Sequence, residues 1–139
     1  MPVSYIDVPP GLERDKKQIL VKEIYTAIDN AYRFPDTRIF LREWPLDTIS
    51  QDGRFDGEAN RPVVFLEVPP DIEVDRKREL VGKISEAITS AYGLRDVLIF
   101  FREYPLDFVA QDGMLQSENP AILAAVQEAA TARAKASAA

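Results

Sequence analysis

Pro2 is the residue with the most distinctive chemistry to offer. Removal of Met1, favoured by the small residue that follows it, would turn the Pro2 ring nitrogen into a free secondary amine. The chain has no histidine and no cysteine. Ser-His-Asp triads, Cys-His pairs, thiolate nucleophiles and His-based metal sites are therefore excluded. Carboxylates, lysines, tyrosines and the N-terminal amine remain for acid–base work. Of these the amine has the ordinary pKa nearest neutrality, about 7.7–8.0. Burial in an apolar pocket and a neighbouring guanidinium both disfavour its charged form, and a general base works best with a pKa near the operating pH.

The stretch that carries this proline occurs twice. Pro2-Val3-Ser4-Tyr5-Ile6-Asp7-Val8-Pro9-Pro10 returns 60 residues later as Pro62-Val63-Val64-Phe65-Leu66-Glu67-Val68-Pro69-Pro70. Pro62 is an internal amide with no basic nitrogen, so only the first copy can supply a base. Residues 2–58 align with 62–118 without a gap, and 27 of the 57 pairs are identical. Two copies with no short period are a duplication, not a solenoid array.

Each copy reads strand–helix–strand. Val3 to Val8 is rich in β-branched and aromatic residues and stops at the prolines. A helix opens near Glu13–Asp15, where acidic side chains suit the positive end of its dipole. Leu20, Ile24, Ala27, Ile28 and Ala31 form its apolar stripe. Pro35 marks its end in the first copy and Gly93 in the second. Thr37 to Trp44 alternates, with Ile39 and Leu41 on one face and Arg38, Phe40 and Arg42 on the other. An Asp-Gly turn signal follows, at Asp52-Gly53 and Asp112-Gly113. A helical crossover makes the two strands of a unit parallel. The expected fold is α/β (α+β in the broader sense): two tandem β-α-β units forming a four-stranded sheet with two helices on one face. Residues 1–60 form the first unit, 61–118 the second, and 119–139 an Ala-rich C-terminal helix or tail. The other sheet face, with Phe40, Phe100, Tyr5 and Phe65, would be bare and calls for burial against further subunits.

Composition sets the surroundings. The formal net charge is −6, and no Lys/Arg cluster suits a phosphate backbone, which argues against nucleic acid. No apolar run approaches the roughly 20 residues that span a bilayer, and no signal peptide opens the chain. The absence of cysteine fits a reducing cytoplasm.

With the duplication and Pro2 in hand, the sequence resembles the tautomerase superfamily. Pro2-Val3-Ser4-Tyr5-Ile6-Asp7-Val8 and the helix stripe look like 4-oxalocrotonate tautomerase, whose subunit is one such unit. The two-unit length, and Phe101-Arg102-Glu103-Tyr104-Pro105 followed by Gly113, look like the fused members, cis-3-chloroacrylic acid dehalogenase and malonate semialdehyde decarboxylase. The resemblance implies a homotrimer with a catalytic proline at Pro2 and no cofactor or metal. It matches Arg38 to a substrate-binding arginine early in the second strand. The family arginine just after the first strand is replaced by Leu12 and Ile72. The dehalogenase's arginine pair is missing from Pro69-Pro70-Asp71-Ile72-Glu73, its late acidic residue falls at Gln111, and its strand tyrosine falls at Phe100. Arg76 and Arg78 lie slightly later and stand as spatial substitutes.

The two copies diverge where Arg38 faces Leu98, which singles Arg38 out as a carboxylate or enolate anchor. Arg42-Glu43 and Arg102-Glu103 recur in both copies, a symmetry that suits structural ion pairs, with Arg102 kept as a second binding candidate. Trp44, Phe100 and Tyr104 are candidates for the pocket wall. Asp36 and Asp96 read as turn groups. The expected function is keto–enol, 1,3-proton transfer on a small 2-oxo or 2-hydroxy unsaturated carboxylate, with Pro2 as general base. With Gln111 neutral, Pro2 is expected to be largely unprotonated at pH 7. The alternatives are Pro2 as general acid in hydration, dehalogenation or decarboxylation, and a non-catalytic trimer acting through protein contacts.

Overall fold

The computed structural model describes residues 1–55 and 61–138. The expected unit boundary after residue 60 and the final residue of the tail lie outside them. Strand β1 (Val3–Val8), helix α1 (Arg14–Tyr32) and strand β2 (Arg38–Glu43) make the first unit. Strand β3 (Val63–Val68), helix α2 (Val74–Tyr92) and strand β4 (Leu98–Glu103) repeat it. A short hairpin, β5 (Ala110–Gln111) and β6 (Met114–Leu115), and helix α3 (Pro120–Ala138) complete the chain.

The sheet order is β2-β1-β3-β4. β1 pairs with β2 in parallel, as β3 does with β4, and β1 meets β3 antiparallel with Tyr5 opposite Phe65. The two units are thus related by a pseudo-twofold axis near that pair. The start of β1 lies beside the end of β3, at one end of the sheet.

Strand alternation sends Ile6, Val8, Val64, Leu66 and Val68 under the helices, where they are buried. The helices return Leu20, Ile24, Ala27 and Ile28, and Leu80, Ile84, Ala87 and Ile88, from one apolar stripe each. Removing such a Leu or Ile side chain from water is worth about 1.5–3 kcal/mol. Ile24→Ala would cost about 2–5 kcal/mol through lost burial and the cavity left behind.

Both helices stop at Tyr32 and Tyr92 through a left-handed residue, Arg33 at φ 54° and Gly93 at φ 70°. The first helix thus ends earlier than Pro35 suggests. The proline disfavours the helical conformation just before it, and the chain has already turned at Arg33. The Asp-Gly turns take positive φ at both residues: Asp52 at 53° and Gly53 at 81°, Asp112 at 52° and Gly113 at 79°. That is the type I′ geometry that suits a two-residue hairpin.

The face away from the helices carries a row of four aromatic rings, Phe40, Tyr5, Phe65 and Phe100, in register across all four strands. Tyr5 stacks on Phe40 at 5.4 Å between centroids and Phe65 on Phe100 at 5.5 Å. Phe40 is 47% and Phe100 45% exposed. Among the described residues no helix is long and apolar enough to cross a membrane.

Candidate active site

The chemistry-bearing groups sort to the two ends of the sheet. At the Pro2 end, the Arg38 N–H donates to the Pro2 carbonyl at 3.0 Å, which brings the start of β2 alongside the chain terminus. Across the open face the next residues in register are Arg38, Val3, Glu67 and Arg102. Neighbouring strands lie about 4.8 Å apart, so Arg102 arises about 10 Å from Val3.

In the chain with Met1 in place, the terminal ammonium donates to the Pro35 carbonyl at 3.2 Å. Met1 is 8% exposed, and Pro2 and Phe34 are also buried. Burial pushes this amine below its ordinary value of 8.0, the Asp36 carboxylate works against that, and the Arg38 guanidinium lowers it further. Arg38 Nη2 lies 3.6 Å from Asp36 Oδ2, and Gln111 Nε2 donates to that same oxygen at 3.2 Å. Gln111 belongs to the β5–β6 hairpin, 75 residues away in sequence. The hairpin of the second unit therefore reaches the proline end of the first.

Asp36 is the group that sequence reasoning placed elsewhere. It is a turn residue, at φ 66°, but its carboxylate also acts on the amine. The amine thus has a carboxylate neighbour despite the neutral Gln111. Asp36 and Asp96 are identical in the two units, so comparing the copies gave no signal. Glu67 gives no signal in that comparison either, because its partner in the alignment is the equally acidic Asp7.

Arg102 Nε lies 3.1 Å from Glu67 Oε1 in an ion pair, and its guanidinium lies 4.3 Å from the Phe65 ring centre. Tyr104 follows β4 at the same end. A hydrogen bond to Glu67 raises its phenol, and the Arg102 charge opposes the shift. Phe100 sits mid-sheet in the aromatic row. Trp44 follows β2 at the other end, about 15–20 Å along the strand direction. Its indole N–H donates to Asp7 Oδ1 at 2.7 Å. Within one chain, then, Arg38, Arg102 and Tyr104 gather at the Pro2 end and Trp44 does not. Arg78 pairs with Asp75 at 2.6 Å on the exposed first turn of α2, and Arg76 turns to helix ends.

No protein-family model matches the sequence, and no curated protein does. Solved structures do match the backbone. A fused 4-OT in an asymmetric trimer is similar at a TM-score of 0.74 and 20% identity, over 81% of this chain and 94% of that one. Pt0534 inactivated by 2-oxo-3-pentynoate is similar at 0.74 and 17% identity, over 84% of this chain and 99% of that one. Macrophage migration inhibitory factor of Toxoplasma gondii is similar at 0.64 and 15% identity, over 81% and 98%. This is the tautomerase fold. The duplicated strand–helix–strand unit, the four-stranded sheet and the two covering helices are the shared parts. In this chain the tautomerase fold carries Pro2, Asp36, Arg38 and Gln111 at one end of the sheet. Pro62, Asp96 and Leu98 stand at the pseudo-symmetric end.

Proposed function

We propose that this protein is a tautomerase-type isomerase in which Pro2, freed by loss of Met1, is a general base. Its substrate class is a small 2-oxo or 2-hydroxy unsaturated carboxylate. The Pro2 nitrogen takes a proton alpha to the carbonyl, Arg38 holds the carboxylate and the charge of the enolate, and Pro2 returns the proton at another carbon. The observation that carries this reading is the burial of the chain terminus: Pro2 is buried, and the Met1 amine beside it is lowered chiefly by burial, with the Arg38 guanidinium adding to the shift. The same surroundings would act on the Pro2 amine once Met1 is lost, and favouring the neutral form is what a base requires. The bare aromatic face supports assembly as a homotrimer, the form in which fused 4-OT of like fold occurs. The test is tautomerisation of phenylenolpyruvate or 2-hydroxymuconate followed by ultraviolet absorbance, with intact mass confirming loss of Met1. Turnover by a protein that still carries Met1 or an N-terminal tag would remove Pro2 from the mechanism.

One observation favours a second reading. Asp36 favours the ammonium form of the Met1 amine, and the same carboxylate beside a processed Pro2 would help it act as an acid, in hydration or dehalogenation of an unsaturated acid. Halide release from a 3-haloacrylate, with a rate that falls as the amine deprotonates, would establish that reading over the first.

A further inference from the structure

Helix α1 ends in Asp29-Asn30-Ala31-Tyr32, a last turn without a basic residue. The last four carbonyls of a helix lack intrahelical partners and carry the negative end of its dipole. Here two of them are taken by arginines from distant parts of the chain. Arg76, from the first turns of α2, donates from Nη1 to the Asn30 carbonyl at 3.0 Å. Arg133, from α3, donates from Nη1 to the Tyr32 carbonyl at 3.0 Å. The two are tied together, because Arg76 Nη2 donates to the Arg133 carbonyl at 2.9 Å and to Ser137 Oγ at 3.0 Å. Ala129, at 2% exposed, seats α3 on the core, with Ile122 and Val126 packed beside it.

The turn that follows this clasp is strained. Arg33 and Asp36 are non-glycine residues at φ 54° and 66°, a cost of about 1–3 kcal/mol each when held by their surroundings. That turn carries the Pro35 carbonyl, Asp36 and, just beyond it, Arg38. The matching end of α2 closes with Gly93, and there the first unit offers only Lys16 in the place of Arg76 and, among the described residues, no helix equivalent to α3.

We propose that α3 is a positioning element for the Pro2 site: Arg133, together with Arg76, grips the last turn of α1 and fixes the 33–36 turn that presents Pro35, Asp36 and Arg38 to the terminal amine. The kinetic part of this proposal rests on the Pro2 reading; the structural part does not. The experiment compares Arg133→Ala, Arg133→Lys and the exposed control Lys135→Ala in the full, Met1-processed chain. Arg133→Ala should lower kcat/KM about tenfold, as a small misplacement of a binding group does. It should also move the ionisation seen in the pH profile, with Arg133→Lys restoring part of both. Amide exchange in residues 33–36 should speed up about tenfold or more, while residues 93–96 stay unchanged. Lys135→Ala should leave everything within about twofold. Arg76→Lys keeps the charge but loses the forked contacts, and it should show the same pattern if Arg133→Ala folds poorly. Unchanged exchange in residues 33–36, with an unchanged amine ionisation by nitrogen-15 NMR, would overturn the proposal even if Tm falls. Both readouts need no turnover, so an inactive protein would sink the Pro2 reading and still decide this one.

Discussion

The two ends of the sheet began as copies and now differ in kind. At the Pro62 end, Asp7 is saturated: Arg42 Nε and Nη2 donate to its two oxygens at 2.8 Å each, and Trp44 adds a third bond at 2.7 Å. At the Pro2 end, the matching Glu67 pairs with Arg102 at 3.1 Å and with the Tyr104 phenol, and its Oε2 is buried without a hydrogen-bond partner among the described residues. The Pro62 end replaces Arg38 with a leucine, closes its helix with glycine and carries an Arg61–Asp96 ion pair at 3.3 Å. Both ends hold an aspartate at positive φ, Asp36 and Asp96, but only the Pro2 end adds the non-glycine Arg33 at φ 54° and braces the helix end with two arginines. At the Pro62 end the carboxylate of Asp7 is fully tied to its neighbours. The Pro2 end gathers a buried terminal amine, the exposed Arg38 guanidinium and the Asp36 carboxylate, the difference expected of a working end under the proposed function.

The two prolines carry the largest expected difference between the ends. Pro2→Ala should lower kcat/KM by about 10²–10⁴-fold, the usual worth of general base catalysis. Pro62→Ala should leave it within about threefold, since an amide nitrogen is not a base. Similar losses from both would mean that the prolines serve the strand starts and that the ends do not differ in function.

Next comes the charge that only one end retains. Arg38→Ala should cost about 10²–10³-fold on a carboxylated substrate, the worth of one charge-assisted contact made in the transition state. Arg42→Ala, at the saturated end, should cost far less in rate. Equal and small effects would move the anion site away from the start of β2.

Asp36 sharpens the comparison through pH. The Met1 amine lies below 8.0 because burial outweighs Asp36, and the carboxylate favours the ammonium. A base is active when deprotonated, so kcat/KM should rise with pH through a single ionisation of the Pro2 amine, lowered by the same burial once Met1 is lost. Asp36→Asn removes the carboxylate that favours the charged form, so that ionisation should move further down and activity at mildly acidic pH should increase relative to the plateau. Movement upward would show that Asp36 does not face the working amine.

How much of this was readable in the sequence depends on distance along the chain. The strands, the helix stripes and the Asp-Gly turns are written in local periodicity, and the duplication doubles each signal. Arg38 was visible as a mismatch with Leu98. Asp36 was not, because both units keep the aspartate for its turn and the second use leaves no mark. The Gln111–Asp36 bond joins residues 75 apart, and the Arg133–Tyr32 bond residues 101 apart. No local pattern predicts either. Arg76 looked like an anion-binding substitute because its charge was legible, whereas the helix end that uses it becomes apparent only when α1 and α2 lie side by side.

The smallest expected effect concerns stability at the saturated end. Arg42 makes two bonds to Asp7 and lies 4.7 Å from the Tyr5 ring centre, so Arg42→Ala strips two of the three bonds from a carboxylate whose side chain is 18% exposed. Charge-assisted bonds are worth about 1.5–3 kcal/mol, but Arg42 is more than a third exposed and screening reduces that to about 1 kcal/mol. Arg102 makes one longer ion-pair contact to Glu67, so Arg102→Ala should cost about half as much or less. Chemical denaturation of the two variants under the same conditions measures the difference. The opposite order, with Arg102→Ala the more destabilising, would mean that the Pro2 end is the better-tied of the two and that its open carboxylate oxygen is satisfied in the assembled protein.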